Sequence, residues 1–410
     1  MANTRPDTFL APAAAAFARL YRALRRRLAP KTAEQSEPAE VQTDLCLAQS
    51  ARLASHYAAL ALPEGLLRAC SAEPLDADDA RFVGRDEQTA RLLAALERWR
   101  TGRNAMVAVT GPQGCGISSL LRQLSRHVTG HETCRYGELK HRPYDVSQTL
   151  ALLGGVVGCE QPCASVEQLV EYINGLPPQV IVIDNGHFLA CRIMGANEAI
   201  RVFGAVMVAT QQRHLWVLGC QEHAWRRLVY VYHADRYFTD LIELPLFSEA
   251  ELGLGLAARL QAAGLASVSG TAGDERLPTA LARQMPTLHK LSNGKYDLAC
   301  FYFLTALLVQ DEDGQPDIQA VRALDFSALK DLISEELFTL AEVAAHGQLT
   351  IDDHCAVFRS THDESWLLLE RLYHRCLLDR DDTGAGPGYF LVPPYSDVIT
   401  RHLAKLNYLY

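Results

Sequence analysis

The sequence has few of the features of a membrane-spanning, secreted or disulfide-rich protein. Its longest largely apolar run has only 12 residues, Leu298 to Val309, which is too short to cross a bilayer and predicts a buried helix. We find no apolar stretch followed by a small-residue cleavage site near the start, so no secretory signal is expected. The 11 cysteines have no repeating spacing, which favours a reducing compartment over a disulfide framework. We therefore expect a cytoplasmic protein.

Positive charge is also scarce outside the first residues. The chain of 410 residues has 49% hydrophobic and 21% charged residues, which is a globular composition, and its formal net charge is −9. Residues 1–31 carry seven Lys and Arg against one Asp, so residues 32–410 are strongly acidic. Such an acidic body is a poor general binder of nucleic-acid phosphates, which need clustered positive charge.

A short basic amphipathic helix is predicted over residues 10–30. Apolar residues recur there at helical spacing, with arginines on the opposite side: Phe17, Leu20, Tyr21, Leu24 and Leu28. Such a helix either packs on its own domain or docks on an anionic membrane surface or in the groove of a partner protein. A location peripheral to the membrane is therefore compatible with the sequence.

Changes of pattern divide the chain into five segments. A basic N-terminal helix (1–30) precedes a linker and helical segment (31–79), an α/β domain (80–247), a helical unit (248–310) and a C-terminal unit (318–410). In the α/β domain, short apolar runs alternate with amphipathic helices, as in a parallel sheet covered by helices. The strand candidates are Ala105–Thr110, Val180–Asp184 and Leu215–Cys220.

A glycine-rich loop after the first of these strands has the geometry of a phosphate-binding loop. In the pattern G-x-x-x-x-G-K-[ST], Gly111 and Gly116 have the required spacing, and Ser118 stands where the hydroxyl ligates Mg²⁺. Free backbone N–H groups and the helix dipole would converge there on an anion. Ile117, however, stands where a lysine normally bridges the terminal phosphates. The loop therefore predicts weak nucleotide binding and impaired hydrolysis.

The strand that ends in Asp184 predicts a Walker B motif, in which the acid faces the metal at the carboxyl edge of the sheet. Asn185 follows it, where many hydrolysing enzymes have a glutamate, and asparagine cannot accept the proton of the attacking water. An ordinary buried strand followed by a turn is the alternative interpretation. His187 has no companion His or Cys at metal-ligand spacing, so we interpret it as a hydrogen-bonded core or surface histidine.

In their order, these segments resemble the AAA+ superfamily of P-loop NTPases, particularly its STAND-like and origin-recognition-like branches. Residues 81–99 resemble the box before the phosphate loop, through an F-x-G-R core that begins at Phe82. The resemblance implies that Phe82 and Val83 line the base pocket. Residues 214–228 resemble the next core strand with its sensor 1 tip, which makes Gln221 the candidate sensor.

The same resemblance identifies residues 248–310 as a helical lid whose first helix begins at Ser248. Residues 291–308 resemble the lid helix that carries a sensor 2 arginine just after a glycine. Here Lys295 follows Gly294, and no arginine does. The resemblance thus implies that the lid lacks its usual contact to the terminal phosphate.

The C-terminal unit resembles a winged-helix domain, which commonly follows the lid in this branch. Its helix patterns are Phe326–Ala345, a second that begins after Leu349 with Thr350 as its cap, and Asp363–Cys376, followed by a hairpin. Winged helices often place the third helix in the major groove of DNA. Here the third helix and the wing carry acids that would repel phosphates: Asp363, Glu364, Glu370, Asp379, Asp381 and Asp382. Contact with protein is therefore favoured over contact with DNA.

We expect an α/β fold, a P-loop parallel-sheet domain of AAA+ type with an all-helical lid and a C-terminal winged helix. The predicted function is a catalytically degenerate regulatory or scaffolding subunit, a pseudo-ATPase rather than an enzyme. Its partners would be proteins, in a homo- or hetero-oligomer with a related ATPase, with a membrane surface reached through residues 10–30. The alternatives are an active ATPase switch completed by a partner's arginine finger, and a DNA-binding regulator that uses the winged helix.

The cofactor expected from these motifs is ATP or ADP with Mg²⁺, although a site that holds none is also compatible. The expected nucleotide-binding residues are Phe82, Val83, Gly111, Gly114, Cys115, Gly116, Ile117, Ser118, Ser119 and Asp184. Ser118 and Asp184 would hold the metal, and the catalytic candidates are Asp184, Asn185 and Gln221. Arg226 and Arg227 are either fingers for a neighbouring subunit's nucleotide or solvated arginines at a helix end.

Overall fold

A computed structural model describes residues 62–129, 132–193, 197–265, 279–309, 316–318, 321, 326–382 and 386–409. All of them lie in one of the two units into which the chain divides, Leu45–Tyr410. The predicted basic helix over residues 10–30 and the predicted linker that follows it lie outside the described residues. Within the described ranges, every helix is too short or too polar to cross a membrane.

Five parallel strands form the central sheet: β1 Met106–Gly111, β2 Thr133–Glu138, β3 Gln179–Asp184, β4 Leu215–Gln221 and β5 Asp240–Glu243. The strand order is β2-β3-β4-β1-β5, so β4 lies between β1 and β3. All three predicted strands are confirmed. Their residues are buried on both faces, apart from the last residue of β4, which explains why each reads as a continuous apolar run.

A short helix, α1 Glu64–Ala69, precedes the sheet and packs on the helical unit that follows it, since Leu66 belongs to the apolar cluster of that unit. The helices that cover the two faces of the sheet are α2 Asp86–Arg100, α3 Ile117–Gln123, α4 Val146–Val157, α5 Val166–Gly175, α6 Glu198–Thr210 and α7 Glu222–Tyr232. Side chains alternate between the faces along a strand. Accordingly, Met106 and Ala108 of β1 pack in one apolar cluster and Val107 and Val109 in another. The sheet is thus the middle layer between two cores.

The lid follows the sheet as three helices: α8 Glu249–Ala262, α9 Thr279–Ser292 and α10 Tyr296–Ala306. Ser248 caps α8, because its hydroxyl accepts the N–H of Glu251 at 3.3 Å. The prediction of helices alone over residues 248–310 is wrong at its end. Leu307 has an extended backbone, with φ −81° and ψ 126°, and begins a strand, β6 Leu307–Val309, that pairs antiparallel with β7 Pro316–Ile318.

The C-terminal unit has three helices followed by a pair of strands, in the predicted order, with a further short strand and a last helix: α11 Ser334–His346, β8 Leu349–Thr350, α12 Ile351–Phe358, α13 His362–His374, β9 Leu378–Asp381, β10 Gly388–Leu391 and α14 Ser396–Lys405. The strands form an antiparallel sheet in the order β8-β10-β9. Thr350 caps α12 as predicted, since its hydroxyl accepts the N–H of Asp353 at 3.1 Å.

Two details of the C-terminal unit differ from the prediction. The single helix expected over Phe326–Ala345 is a 3₁₀ helix, Ser327–Asp331, followed by α11, because Leu332 and Ile333 have extended backbones. The last helix, α14, was not predicted. The first difference arises where neighbouring elements, rather than local periodicity, decide the backbone conformation. The second does not, because α14 buries Ile399 and Leu403 at helical spacing and its local pattern does indicate a helix.

A buried carboxylate joins the C-terminal unit to the α/β domain. Glu342 of α11 is 7% exposed, and it pairs with Arg192 and, at 3.4 Å, with Arg227 of α7. His346 accepts the backbone N–H of Arg192 at Nε2, at 2.9 Å. Arg227 is therefore held by an acid of its own chain, which is neither of the two roles expected for it.

A buried histidine of the C-terminal unit predicts a loss of stability in acid. His354 is 2% exposed, its ring nitrogens contact the hydroxyls of Thr339 at 3.0 Å and Ser365 at 2.9 Å, and burial lowers its pKa to about 4. The folded state therefore favours the neutral ring. Its contribution to stability is fully present above the unfolded-state pKa of about 6.5 and is lost as the pH falls toward 4.

When the pH falls from 7 to 5, we expect the lowered pKa of His354 to decrease the free energy of unfolding by about 2 kcal/mol, since one pKa unit corresponds to about 1.36 kcal/mol. Urea unfolding of the wild type and of His354→Gln at both pH values measures it. Glutamine keeps a donor and an acceptor but does not titrate in this range. Equal losses in the two proteins would contradict the assignment.

Candidate nucleotide site

A cleft with about 1040 Å³ of empty space, part of it open to solvent, lies at the carboxyl end of the parallel sheet. Ligands of open α/β sheets bind at this edge. The cleft gathers all the predicted site residues except Gly111: Phe82, Val83, Gly114, Cys115, Gly116, Ile117, Ser118, Ser119, Asp184, Asn185 and Gln221. Gly111 ends β1 beneath the loop, where a Cβ atom would lie only 2.5 Å from the sulfur of Cys115.

The loop between β1 and α3 follows a path that its glycines permit. Gly114 and Gly116 have φ values of 78° and 94°, in the left-handed region that residues with a Cβ atom rarely adopt. Gly116 caps α3 and directs the start of that helix into the cleft. The backbone therefore forms the concave turn that a phosphate-binding loop needs.

Ile117 packs on the sheet beside Asp184. A Cβ atom placed on Gly219 of β4 would lie 3.0 Å from Cγ2 of Ile117 and 2.8 Å from Oδ1 of Asp184. Ile117 also packs against the apolar cluster that contains Leu121. The position that would carry a cation thus holds an apolar side chain that fills the space between the loop and β4.

The acid at the end of β3 is buried and hydrogen-bonded. Asp184 is 2% exposed, and it accepts the hydroxyl of Tyr136 at 2.6 Å and the backbone N–H of Asn185 at 2.7 Å. The side-chain amide of Asn185 donates to Leu139 O at 3.1 Å and to Glu138 Oε1 at 3.3 Å. Asn185 is thus tied to the end of β2, so its amide N–H groups are used within the protein.

Two buried arginines and a tyrosine in the cleft have polar atoms without hydrogen-bond partners. Arg85 is 2% exposed; its Nη2 donates to Cys115 O at 2.9 Å and its guanidinium lies 3.8 Å over the ring of Phe247. Its Nε and Nη1 have no partner, nor do Nε of Arg259 and the hydroxyl of Tyr296. Burial lowers the pKa of Arg85. Buried unpaired donors are rare in native proteins, so these atoms fit a polar or anionic ligand.

Near the position predicted for a sensor 2 cation, the lid presents an acid to the phosphate loop. Lys295 is 1% exposed, but its Nζ donates to Pro393 O of the C-terminal unit at 2.8 Å and it does not line the cleft. Asp297 does line it, and a Cβ atom placed on Gly114 would lie 2.0 Å from its Oδ2. Burial raises the pKa of Asp297 to about 6.

The remaining predicted residues occupy the walls of the cleft. The hydroxyl of Ser119 accepts the N–H of Leu75 at 3.0 Å, so the segment before the α/β domain closes one side. Gln221 ends β4 at the cleft.

His187 is a buried core histidine packed on Phe188 and against Gly347, and burial lowers its pKa to about 3. Among the described residues, no group of three or more His, Cys, Asp or Glu is placed to hold a metal.

Sequence reasoning missed three residues of the cleft. Arg85 lies inside the F-x-G-R core, where only its neighbours Phe82 and Val83 were assigned a role. Asp297 lies three residues after Gly294, and an acid near that glycine was a usable signal. Arg259 lies on the inner side of α8, and no motif marks it.

This arrangement defines a P-loop nucleotide-binding domain: a glycine-rich loop follows β1, an acid ends β3, and β4 lies between them. Residues 81–187 match the family model described as AAA ATPase domain. The predicted AAA+ class is therefore confirmed, and these residues form an AAA+ P-loop domain.

Solved structures with a similar chain include the Aeropyrum pernix ORC2 protein in ADPNP–ADP complexes, at 13% identity and a TM-score of 0.41, covering 83% of this chain and 98% of that one. Cdc6p from Pyrobaculum aerophilum has 15% identity and a TM-score of 0.41, with the same coverage of 83% and 98%. A chain of Drosophila ORC bound to DNA has 13% identity and a TM-score of 0.35, covering 95% and 100%. A search of curated proteins finds no match.

Proposed function

We propose that this chain is a catalytically degenerate AAA+ subunit that binds ADP or ATP without turning it over and acts as a regulatory or scaffolding component of a protein assembly. The observation that carries the proposal is the packing of Ile117 on Gly219 beside Asp184. The site keeps the shape of a nucleotide cradle but has lost the cation that normally neutralises the departing phosphoryl group.

Nucleotide binding is supported by the unpaired donors of the cleft. Nε and Nη1 of Arg85 lie beside the loop, and Nε of Arg259 and the hydroxyl of Tyr296 belong to the lid. A buried donor left unsatisfied costs about 1–3 kcal/mol. A bound nucleotide with its phosphates and its base would satisfy these atoms, and so would stabilise the packing of the lid beside the loop.

Lack of turnover is supported by Ile117 and Asn185 together. An isoleucine cannot offset charge on the terminal phosphates, and an asparagine cannot accept a proton from water. When Mg²⁺ is bound it neutralises charge on the phosphates. The hydroxyl of Ser118 and the carboxylate of Asp184 are the oxygens that would hold it. The carboxylate keeps acceptor capacity for this, because Oδ2 accepts from Tyr136 and Oδ1 from the backbone of Asn185, and each oxygen has a further lone pair.

Protein partners are favoured over DNA by the charges on the third helix of the C-terminal unit. Arg371 and Arg375 each lie 3.0 Å from Glu336, which is 2% exposed, so both are held by an internal acid. On the same helix, α13, Trp366 and Leu367 are 48% and 64% exposed. Exposed large apolar side chains suit a protein surface, whereas DNA requires cations available for phosphates.

The test is a titration of the purified chain with ADP and ATP, with Mg²⁺ and with EDTA, together with an assay of phosphate release. We expect saturable binding and no turnover. Arg85→Gln should weaken binding at least tenfold, because it removes a charge-assisted contact. Arg103→Gln, on an exposed turn outside the cleft, is the matched control and should bind as the wild type does.

Two outcomes would replace the proposal. Turnover that Asp184→Ala abolishes would establish an active ATPase switch. Salt-sensitive binding of duplex DNA, lost when residues 326–410 are deleted while nucleotide binding is kept, would establish a DNA-binding regulator.

A further inference from the structure

We propose that the site selects a nucleoside diphosphate over the triphosphate, and that Asp297 is the residue that rejects the third phosphate. This inference rests on the proposed nucleotide binding.

Asp297 is held against the phosphate loop. It lies in the first turn of α10, and its Oδ2 is so near Gly114 that a Cβ atom there would lie 2.0 Å from it. Gly114 has a left-handed φ of 78° and no side chain of its own to separate its backbone from the carboxylate. The carboxylate of the lid therefore lies directly against the loop.

The point at which Asp297 contacts the phosphate loop decides which phosphate of a bound nucleotide lies near its carboxylate. The backbone of a phosphate loop holds the α- and β-phosphates toward its helix end, and the side chain at the lysine position reaches the β- and γ-phosphates. The loop turns from Gly114 to Ile117 within four residues, so a third phosphate held at the lysine position comes close to the carboxylate that lies against Gly114. A diphosphate ends before it reaches this acid.

The acids Asp184 and Asp297 line the same cleft as the phosphate loop, and Ile117 supplies no cation at the lysine position. Of the cations beside the loop, Arg85 is held by Cys115 O at 2.9 Å. The cations that act on Asp297 are Lys295 and Arg259. Lys295 donates to Pro393 O, and Arg259 lies over the ring of Tyr296 at 4.0 Å. Like charges in a partly buried site repel more strongly than in water, so a third phosphate beside Asp297 is disfavoured.

The charge state sets the conditions for the test. Burial raises the pKa of Asp297 to about 6, so at pH 7.5 the carboxylate is ionised and repulsion is at full strength. At that pH we expect the wild type to bind ADP at least tenfold more tightly than ATP in EDTA, which corresponds to about 1.4 kcal/mol. Mg²⁺ should reduce the preference for ADP without reversing it, because the metal neutralises part of the negative charge of the triphosphate.

The experiment is a competition titration of ADP and ATP against a fluorescent ADP analogue, in EDTA and in Mg²⁺, on the full chain. Asp297→Asn should bind ATP within about threefold of ADP while its ADP affinity changes little. Asp297→Glu should keep the preference. Glu249→Gln removes an exposed acid in the first turn of α8 and should leave both affinities unchanged. Thermal melting checks that each variant is folded.

The outcomes separate this inference from the proposed function. Equal affinity for ADP and ATP in the wild type would overturn the inference and leave nucleotide binding standing. The inference would also be overturned if the wild type preferred ATP in Mg²⁺ and the Asp297→Asn variant did not, because Asp297 would then be a metal ligand. Binding of neither nucleotide would overturn the proposed function, and the inference with it. If Asp297→Asn fails to fold, Asp297→Ser replaces it with the same expected result, and an unchanged preference in that variant would overturn the role of Asp297.

Discussion

Replacing Ile117 with lysine is expected to raise the affinity for ADP by about tenfold to a hundredfold. The ammonium would add a charge-assisted hydrogen bond to the β-phosphate, and such a bond contributes about 1.5–3 kcal/mol. The site tolerates the change because Ile117 is only half-buried, so a lysine stem covers the same apolar surface while its charged end reaches the cleft. Titration with ADP in EDTA measures the effect without a contribution from metal.

Ile117→Met is the matched control, since it keeps an unbranched apolar stem without the charge. It should bind ADP as the wild type does. Equal affinities of the lysine and methionine variants would show that the missing cation does not limit binding, and the central premise of the proposed function would be lost. We expect no turnover from Ile117→Lys alone, because Asn185 and Asp297 remain.

The second large effect is expected where the C-terminal unit meets the α/β domain. Glu342→Gln removes the charge that holds Arg192 and Arg227. The expected loss in the free energy of unfolding is about 3 kcal/mol, the low end of the cost of breaking a buried ion pair, because Arg192 is 58% exposed and recovers part of its hydration.

Urea unfolding at pH 7.5 measures this loss, with Glu335→Gln as the control on the exposed side of the same helix. The control should stay within about 0.5 kcal/mol of the wild type, as surface substitutions usually do. The account of the interface fails if the two variants unfold alike.

Local pattern in the sequence predicted the central part of the fold. Strands β1, β3 and β4 are buried on both faces, and this produces an apolar run that needs no tertiary information to recognise. The phosphate loop, the cap at Ser248 and the cap at Thr350 are likewise set by residues within a few positions of one another. The same is true of Asp184, whose place at the end of a strand puts it at the edge of the sheet.

The orientation of side chains from distant segments could not be predicted in this way. Lys295 and Asp297 are two positions apart, yet Lys295 donates to Pro393 O and Asp297 contacts the loop. This division depends on how the lid packs between the loop and the C-terminal unit. The end of α10 at Ala306 depends similarly on the pairing of Leu307 with Ile318, which lies outside any helical window.

The lid changes the meaning of the substitution at Ile117. A loop that has only lost its lysine would bind both nucleotides weakly, as the sequence predicted. A loop that faces Asp297 across Gly114 also discriminates between them. The cations of the cleft come instead from Arg85 and Arg259, which lie beside the loop and in the lid.

The central claim is most directly tested by measuring bound nucleotide and released phosphate in one sample of the full chain with saturating ATP and Mg²⁺. The account predicts nucleotide bound to the protein and no more phosphate than in a sample without protein. Phosphate release at about 1 s⁻¹ or faster, the range of ordinary enzymes, would contradict it.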